Sequence, residues 1–305
     1  MPTALVFPGQ GAQYVGMAKD LAATVPAARA LLDEADRVLG FPLSTVIAEG
    51  PEAELTRTDV SQPAILVASL MALEALRAKQ RVEFVAAAGL SLGEYTALVA
   101  SGALGFADAV RLVRLRGQAM QAAADAVKSG MVALIGADEI SAAALCAACA
   151  HGEVLQVANL NSPGQVVISG TAAACERACA VAKDHGIRKA IVLPVAGAFH
   201  SELMAPAADR LRAALATTRF AEPTVPVYCN VTATAVTSAL AVPELLIAQL
   251  TRPVRWADSV VAMRAAGITA FWEFGPGKTL SGMIQRTVKD VETRNIDGAA
   301  DVAAF

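Results

Sequence analysis

The chain has 305 residues, 25 basic against 28 acidic side chains for a formal charge of −3, 55% hydrophobic residues and 17% charged ones. With no dense basic tract, that balance argues against a nucleic-acid partner. Mean hydropathy is +0.49, yet the two long uncharged stretches, Val154–Cys175 and Pro223–Pro243, are interrupted by Asn, Gln, Thr and Pro. Neither resembles a membrane span of about 20 apolar residues, and no membrane association is expected.

The chain opens on Met1-Pro-Thr-Ala-Leu-Val-Phe-Pro-Gly9, without the basic start of a secretory signal. Within it the apolar Ala4–Phe7 suits a buried parallel strand, and Pro8–Gln13 reads as a loop. Ala27–Val38, Pro51–Leu55 and Gln62–Ala78 read as helices, the last with Pro63 in its first turn. A strand over Phe84–Ala88, the turn Gly89-Leu90-Ser91-Leu92-Gly93 and a helix over Glu94–Ala100 follow, and then a long helix over Ala107–Ala126.

From Met131 the texture changes. Met131–Ile135 reads as a strand, Glu139–Ala150 as a helix, Val154–Leu160 and Gln165–Ser169 as strands, Ala172–His185 as a helix and Lys189–Leu193 as a strand. That β-α-β-β-α-β order is the ferredoxin-like arrangement. It holds Cys146, Cys149, Cys175 and Cys179, four of five cysteines. With no histidine at zinc-type spacing, these read as small buried thiols of a reducing cytosol, so a cytoplasmic protein without a metal is expected. Asn230-Val-Thr232 is accordingly a glycosylation sequon on paper only.

After His200 come a helix over Pro206–Ala216, a strand over Val225–Asn230, helices over Pro243–Leu250 and Trp256–Ala266, a strand over Thr269–Phe274, the turn Gly275-Pro276-Gly277 and a helix over Thr279–Val288. The tail Asp297–Phe305 is expected to fray. The expected fold is α/β: a large α/β-hydrolase-like subdomain (residues 1–128 and 195–305) carrying an inserted ferredoxin-like one (129–194).

The chemistry starts at residues 89–93, which read G-x-S-x-G between a strand and a helix. A serine on such a turn stands clear of the sheet edge, with backbone N–H groups of the new helix nearby. The alternative is a Gly-rich connection with an incidental serine. If Ser91 is a nucleophile, it needs a base. Of three histidines, His151 and His185 each precede a glycine at an expected helix end, where a cap and the helix dipole account for them. His200, in Gly197-Ala198-Phe199-His200-Ser201, lies on a connection between strand and helix and is the candidate base. The nearest carboxylates, Asp184 and Glu202, have no distinctive context, so a Ser-His dyad oriented by a carbonyl is equally compatible.

The N–H of Leu92 is the first candidate donor of an oxyanion hole, with the loop Gly9-Gln10-Gly11 as the second source. A phosphate-binding loop would need a lysine and Ser/Thr that are absent here. Arg111, Arg114 and Arg116 share one helix, ordinarily a solvated face. They do not all lie on one side of it, and one turned inward would need an anionic partner, such as a substrate carboxylate.

The segments Phe7-Pro-Gly-Gln-Gly-Ala-Gln13, Gly89-Leu-Ser-Leu-Gly-Glu94, Arg116-Gly117, Asn161-Ser-Pro-Gly-Gln165, Gly197-Ala-Phe-His-Ser201, Gln249-Leu250 ahead of Pro253-Val254, and Gly275-Pro-Gly-Lys278 occur in this order. Together they closely resemble the malonyl-CoA:acyl carrier protein transacylases of fatty acid and polyketide synthesis, over nearly the whole chain. The resemblance implies that Ser91 carries the malonyl ester, that His200 is its acid/base and that the Gln10 and Leu92 amides form the oxyanion hole. It implies further that Arg116 clasps the malonyl carboxylate and that the Gln249 main-chain carbonyl orients His200. Ala198-Phe199-His200 resembles the version associated with unbranched malonyl groups. The implied partners are malonyl-CoA and an acyl carrier protein bearing phosphopantetheine, with no further cofactor and a monomeric enzyme. Many members have histidine before the nucleophile, where this chain has Leu90. Rival readings are the same transfer to a polyketide or malonate decarboxylase carrier, a serine thioesterase or hydrolase, and a silent docking protein.

Overall fold

Ten strands, β1 (Thr3–Phe7), β2 (Ala86–Gly89), β3 (Ser129–Ile135), β4 (Leu155–Ser162), β5 (Gln165–Thr171), β6 (Lys189–Val192), β7 (Val227–Tyr228), β8 (Ala235–Val236), β9 (Ala270–Phe274) and β10 (Glu292–Ile296), form two sheets in the computed structural model, which describes residues 1–305. The larger has the order β10-β9-β1-β2-β7-β8. It is parallel apart from β8, which runs against β7. Its two central strands are buried along their whole length, as continuous apolar runs covered on both faces must be.

The helix Thr58–Lys79 packs against Pro26–Leu39 and Phe106–Ala126 beside this sheet. By length and composition it is apolar enough to cross a membrane, with a mean hydropathy of 1.3, but 94% of that window is buried inside the protein. It starts at Thr58 rather than near Pro63, so the proline lies inside it and not in its first turn. The carbonyl that Pro63 leaves without a donor is that of Asp59. Arg114 Nη1 takes it at 2.6 Å, which is why a proline is tolerated there.

The smaller sheet, in the order β4-β5-β3-β6, is antiparallel throughout. With the helices Glu139–Cys149 and Ala172–Val181 it has the strand and helix order read from the sequence. Alternation along β3 sorts its side chains. Val132 and Leu134 join the helices in one core with Leu145, Ile168 and the thiols of Cys146, Cys149 and Cys175. Met131 and Ala133 point the other way, into the main core. All five cysteines are free.

Sequence reading missed the helices Lys19–Thr24 and Leu43–Glu49 and the strands β8 and β10. β10 reads Glu-Thr-Arg-Asn-Ile, and as an edge strand it buries only Ile296 fully, so it has almost no apolar pattern to detect. The tail is not frayed. Ala299–Ala303 is helical, Phe305 meets Trp272 edge-on with 4.9 Å between centroids, and Lys79 Nζ donates to the carbonyls of Val302 and Ala303 at 3.0 and 2.7 Å.

Candidate active site

At the end of β2 the chain turns through Ser91 into the helix Gly93–Ala100. Ser91 has φ 51°, a left-handed conformation unusual for a residue with a side chain. The turn is pinned by backbone contact: a Cβ on Gly93 would overlap the Phe7 carbonyl at the end of β1. Asn230, fully buried just after β7, grips the same turn with both ends of its amide. Its Oδ1 accepts the Ser91 N–H at 2.6 Å and its Nδ2 donates to the Gly89 carbonyl at 2.7 Å.

His200 is buried, also left-handed at φ 58°, and its Nε2 lies 2.8 Å from Ser91 Oγ. Its Nδ1 lies 2.7 Å from the main-chain oxygen of Gln249. A carbonyl can only accept, so Nδ1 carries the proton and Nε2 is free to accept from the serine hydroxyl. Burial, with the Arg116 charge adding to it, lowers the His200 pKa to about 4, which keeps the imidazole neutral at pH 7. Neither Asp184 nor Glu202 is its partner, and neither His151 nor His185 lines the cavity above Ser91.

The three arginines separate. Arg111 pairs with Asp108 in solvent and Arg114 with Asp59, while Arg116 is 1% exposed. Its Nη1 donates to Gln62 Oε1 at 2.8 Å, and its Nη2 to Gln249 Oε1 at 2.9 Å and to Ser91 Oγ at 3.0 Å. The Tyr95 ring lies 5.6 Å from it. No carboxylate pairs with this guanidinium, and its Nε has no partner. The main-chain N–H groups of Gln10 and Leu92 likewise have no acceptor in the protein.

A cavity of about 550 Å³ lies between the two sheets above Ser91. Gln10, Leu90, Ser91, Arg116 and His200 line one side of it, and Met131, Asn161 and Val167 of the smaller sheet line the other. A neutral base on a serine, two free amides and a buried cation are an arrangement for acyl transfer.

Residues 4–303 match the family model described as acyl transferase domain. The chain belongs to that family. It is 45% identical over 291 residues to the malonyl CoA-acyl carrier protein transacylase of Bacillus subtilis strain 168, covering 95% of this chain and 92% of that one. It is 43% identical to the protein of the same name from Escherichia coli strain K12, covering 99% and 97%. The crystal structure of an acyl carrier protein S-malonyltransferase from Vibrio cholerae matches with a TM-score of 0.96 at 42% identity, covering 100% and 99%. A malonyl-transacylase in complex with its type II polyketide synthase acyl carrier protein matches with 0.96 at 39%, covering 100% and 98%.

Three residues of this acyltransferase's site escaped sequence reasoning. Asn230 was visible only as a sequon, and Gln62 only as a helix residue ahead of a proline. Glu94, 3% exposed, accepts from Gln249 Nε2 at 2.7 Å and from the Asn230 N–H at 3.1 Å. Glu94 closes the family segment that begins at Gly89, but nothing in that pattern gives it a role.

Proposed function

We propose that this acyltransferase moves a malonyl group from malonyl-CoA to the phosphopantetheine thiol of an acyl carrier protein through an ester on Ser91. The observation that carries the reading is Arg116, a buried cation with only neutral partners, 3.0 Å from Ser91 Oγ. An acyl group ending in a carboxylate matches it, because a bidentate pair supplies the countercharge that burial demands. The names of the relatives support the donor and the acceptor.

His200 accepts the Ser91 proton as Oγ attacks the thioester carbon, and the Gln10 and Leu92 amides hold the oxyanion. The tetrahedral intermediate collapses with breakage of the C–S bond. An imidazolium whose pKa is about 4 gives its proton readily to the departing sulfur, and coenzyme A leaves as the thiol. The carrier's thiol then passes its proton to His200 and attacks the ester, and Ser91 recovers the proton as its Oγ leaves. One thioester is broken and another formed, and the base and the oxyanion donors come from the chain itself, so the proposed cycle uses no metal or further cofactor. Arg116 holds the malonyl tail so that the carbonyl faces a thiol rather than water. Phe199 lines the cavity, and the resemblance of Ala198-Phe199-His200 to the version associated with unbranched malonyl groups supports an unbranched acyl group.

We assign the larger sheet to an α/β-hydrolase-like subdomain, residues 1–128 and 195–305, and the smaller to a ferredoxin-like one, 129–194. The strand order β4-β5-β3-β6 supports the second assignment. Every reacting group comes from one chain, so a monomer suffices, and free thiols suit the cytoplasm.

Exposed to malonyl-CoA, the parent should gain the mass of one malonyl group and Ser91→Ala none; a malonylated Ser91→Ala defeats the assignment. Arg116→Ala should shift relative kcat/KM from malonyl-CoA toward acetyl-CoA by roughly 30- to 1,000-fold, about 2–4 kcal/mol. The matching complex with a type II polyketide synthase carrier favours one second reading, a polyketide carrier as acceptor. Comparing kcat/KM on purified carriers of both kinds decides it.

A further inference from the structure

Two charged side chains are buried behind the reacting serine, and only Arg116 reaches the cavity; Glu94 does not line it. A carboxylate and a guanidinium buried this close ordinarily pair directly. Here the carboxamide of Gln249 stands between them. Its Oε1 accepts from Arg116 Nη2 at 2.9 Å, and its Nε2 donates to Glu94 Oε2 at 2.7 Å and to the Ser91 carbonyl at 3.0 Å. A guanidinium has only donors, and an ionised carboxylate, like the Ser91 carbonyl, only acceptors, so together they oblige the amide to turn its NH₂ inward and its oxygen toward Arg116. The same Oε2 accepts the Asn230 N–H at 3.1 Å, and Asn230 in turn holds the Ser91 N–H and the Gly89 carbonyl.

We propose that Glu94 is a positioning residue, whose carboxylate fixes the Gln249 amide that aims Arg116 at the acyl carboxylate and the Asn230 amide that aims Ser91. The interposed carboxamide also keeps Glu94 from neutralising Arg116 by direct pairing, which leaves the guanidinium available to substrate. This inference rests on the reading that Arg116 receives that carboxylate. Glu94 sits in the first turn of its helix, where the dipole favours a negative charge. The titratable and charged groups around it are Arg116, Cys229 and Tyr95 of its own helix, while the Gln249 helix offers only an amide. Burial raises the Glu94 pKa to about 6, so its charge is lost as pH falls through that value.

The test compares the parent, Glu94→Gln, Glu94→Leu and Arg116→Ala with malonyl-CoA and acetyl-CoA, from about pH 5 to about pH 8. Glu94→Leu removes the acceptor and should lower kcat/KM about 100-fold for malonyl-CoA but only about 10-fold for acetyl-CoA, which uses the Ser91 turn and not the Arg116 clasp. Glu94→Gln, neutral like the protonated parent, should show at every pH the activity and malonyl preference that the parent keeps below about pH 6, better than Glu94→Leu and without the parent's acid limb. Equal losses for both donors in Glu94→Leu, or an acid limb near pH 6 that persists in Glu94→Gln, overturn the proposal. If Glu94→Leu does not fold, the Glu94→Gln profile decides alone. An unchanged donor preference in Arg116→Ala sinks the underlying reading and this inference with it. A shift confined to Arg116→Ala sinks the inference alone.

Discussion

The core under the smaller sheet and the turns at the end of the larger one are both buried, and they bury opposite things. Under the smaller sheet lie aliphatic side chains, alanines and thiols, whose job is to exclude water. At the end of β2 lie Glu94, Arg116, His200, Asn230 and Gln249, each tied to named partners. Ser91 and His200 there also hold left-handed backbone. Polar burial and strained backbone oppose stability unless the surroundings enforce them. The contrast teaches that one sheet provides a wall whose packing carries itself, while the other spends stability on aiming reactive groups.

Three substitutions test that contrast, the largest effect first. His200→Ala removes the only base on Ser91 and should lower kcat by about 10²- to 10⁴-fold with the fold intact, read from initial rates and circular dichroism. If activity survives, the hydroxyl is activated by some other group. Asn230→Ala deletes two hydrogen bonds to the serine turn and should cut kcat roughly 10- to 100-fold while KM moves little. A rise in KM alone would mean that Asn230 shapes binding rather than the nucleophile. Ile168→Val, in the core under the smaller sheet, should cost about 0.5–1.5 kcal/mol in a denaturant titration and leave kcat/KM as it was. A loss of activity there would show that the wall and the reacting groups are not separable.

How much of this was legible in the sequence follows the same division. The wall announces itself by apolar runs and turn residues, so its strand and helix order could be read directly. Ser91 and His200 stand out because the turn motif is local and histidines are few, and the structure brings their side chains together. The roles of Asn230, Gln62 and Glu94 stay hidden because they act through contacts made between distant segments: Asn230 reaches Ser91 across 139 positions of sequence. Arg116 could not be separated from Arg111 and Arg114 by pattern alone; its burial across the cavity from the smaller sheet is a tertiary fact. β10 and the tail failed for a different reason. Their order comes from the ladder to β9, the buried Ile296 and Val302, the Trp272–Phe305 contact and Lys79, which reaches the carbonyls of Val302 and Ala303.

The close fit of the serine turn against the Phe7–Gly11 loop has a consequence for redesign. Gly93 touches the Phe7 carbonyl, and a Cβ on Gly9 would come within 2.6 Å of the Leu90 oxygen, so main chain meets main chain on that side. At those two contacts there is no side chain to trim. A version of this catalyst for bulkier acyl chains is best carved from the facing surface, where Met131 and Val167 offer replaceable volume.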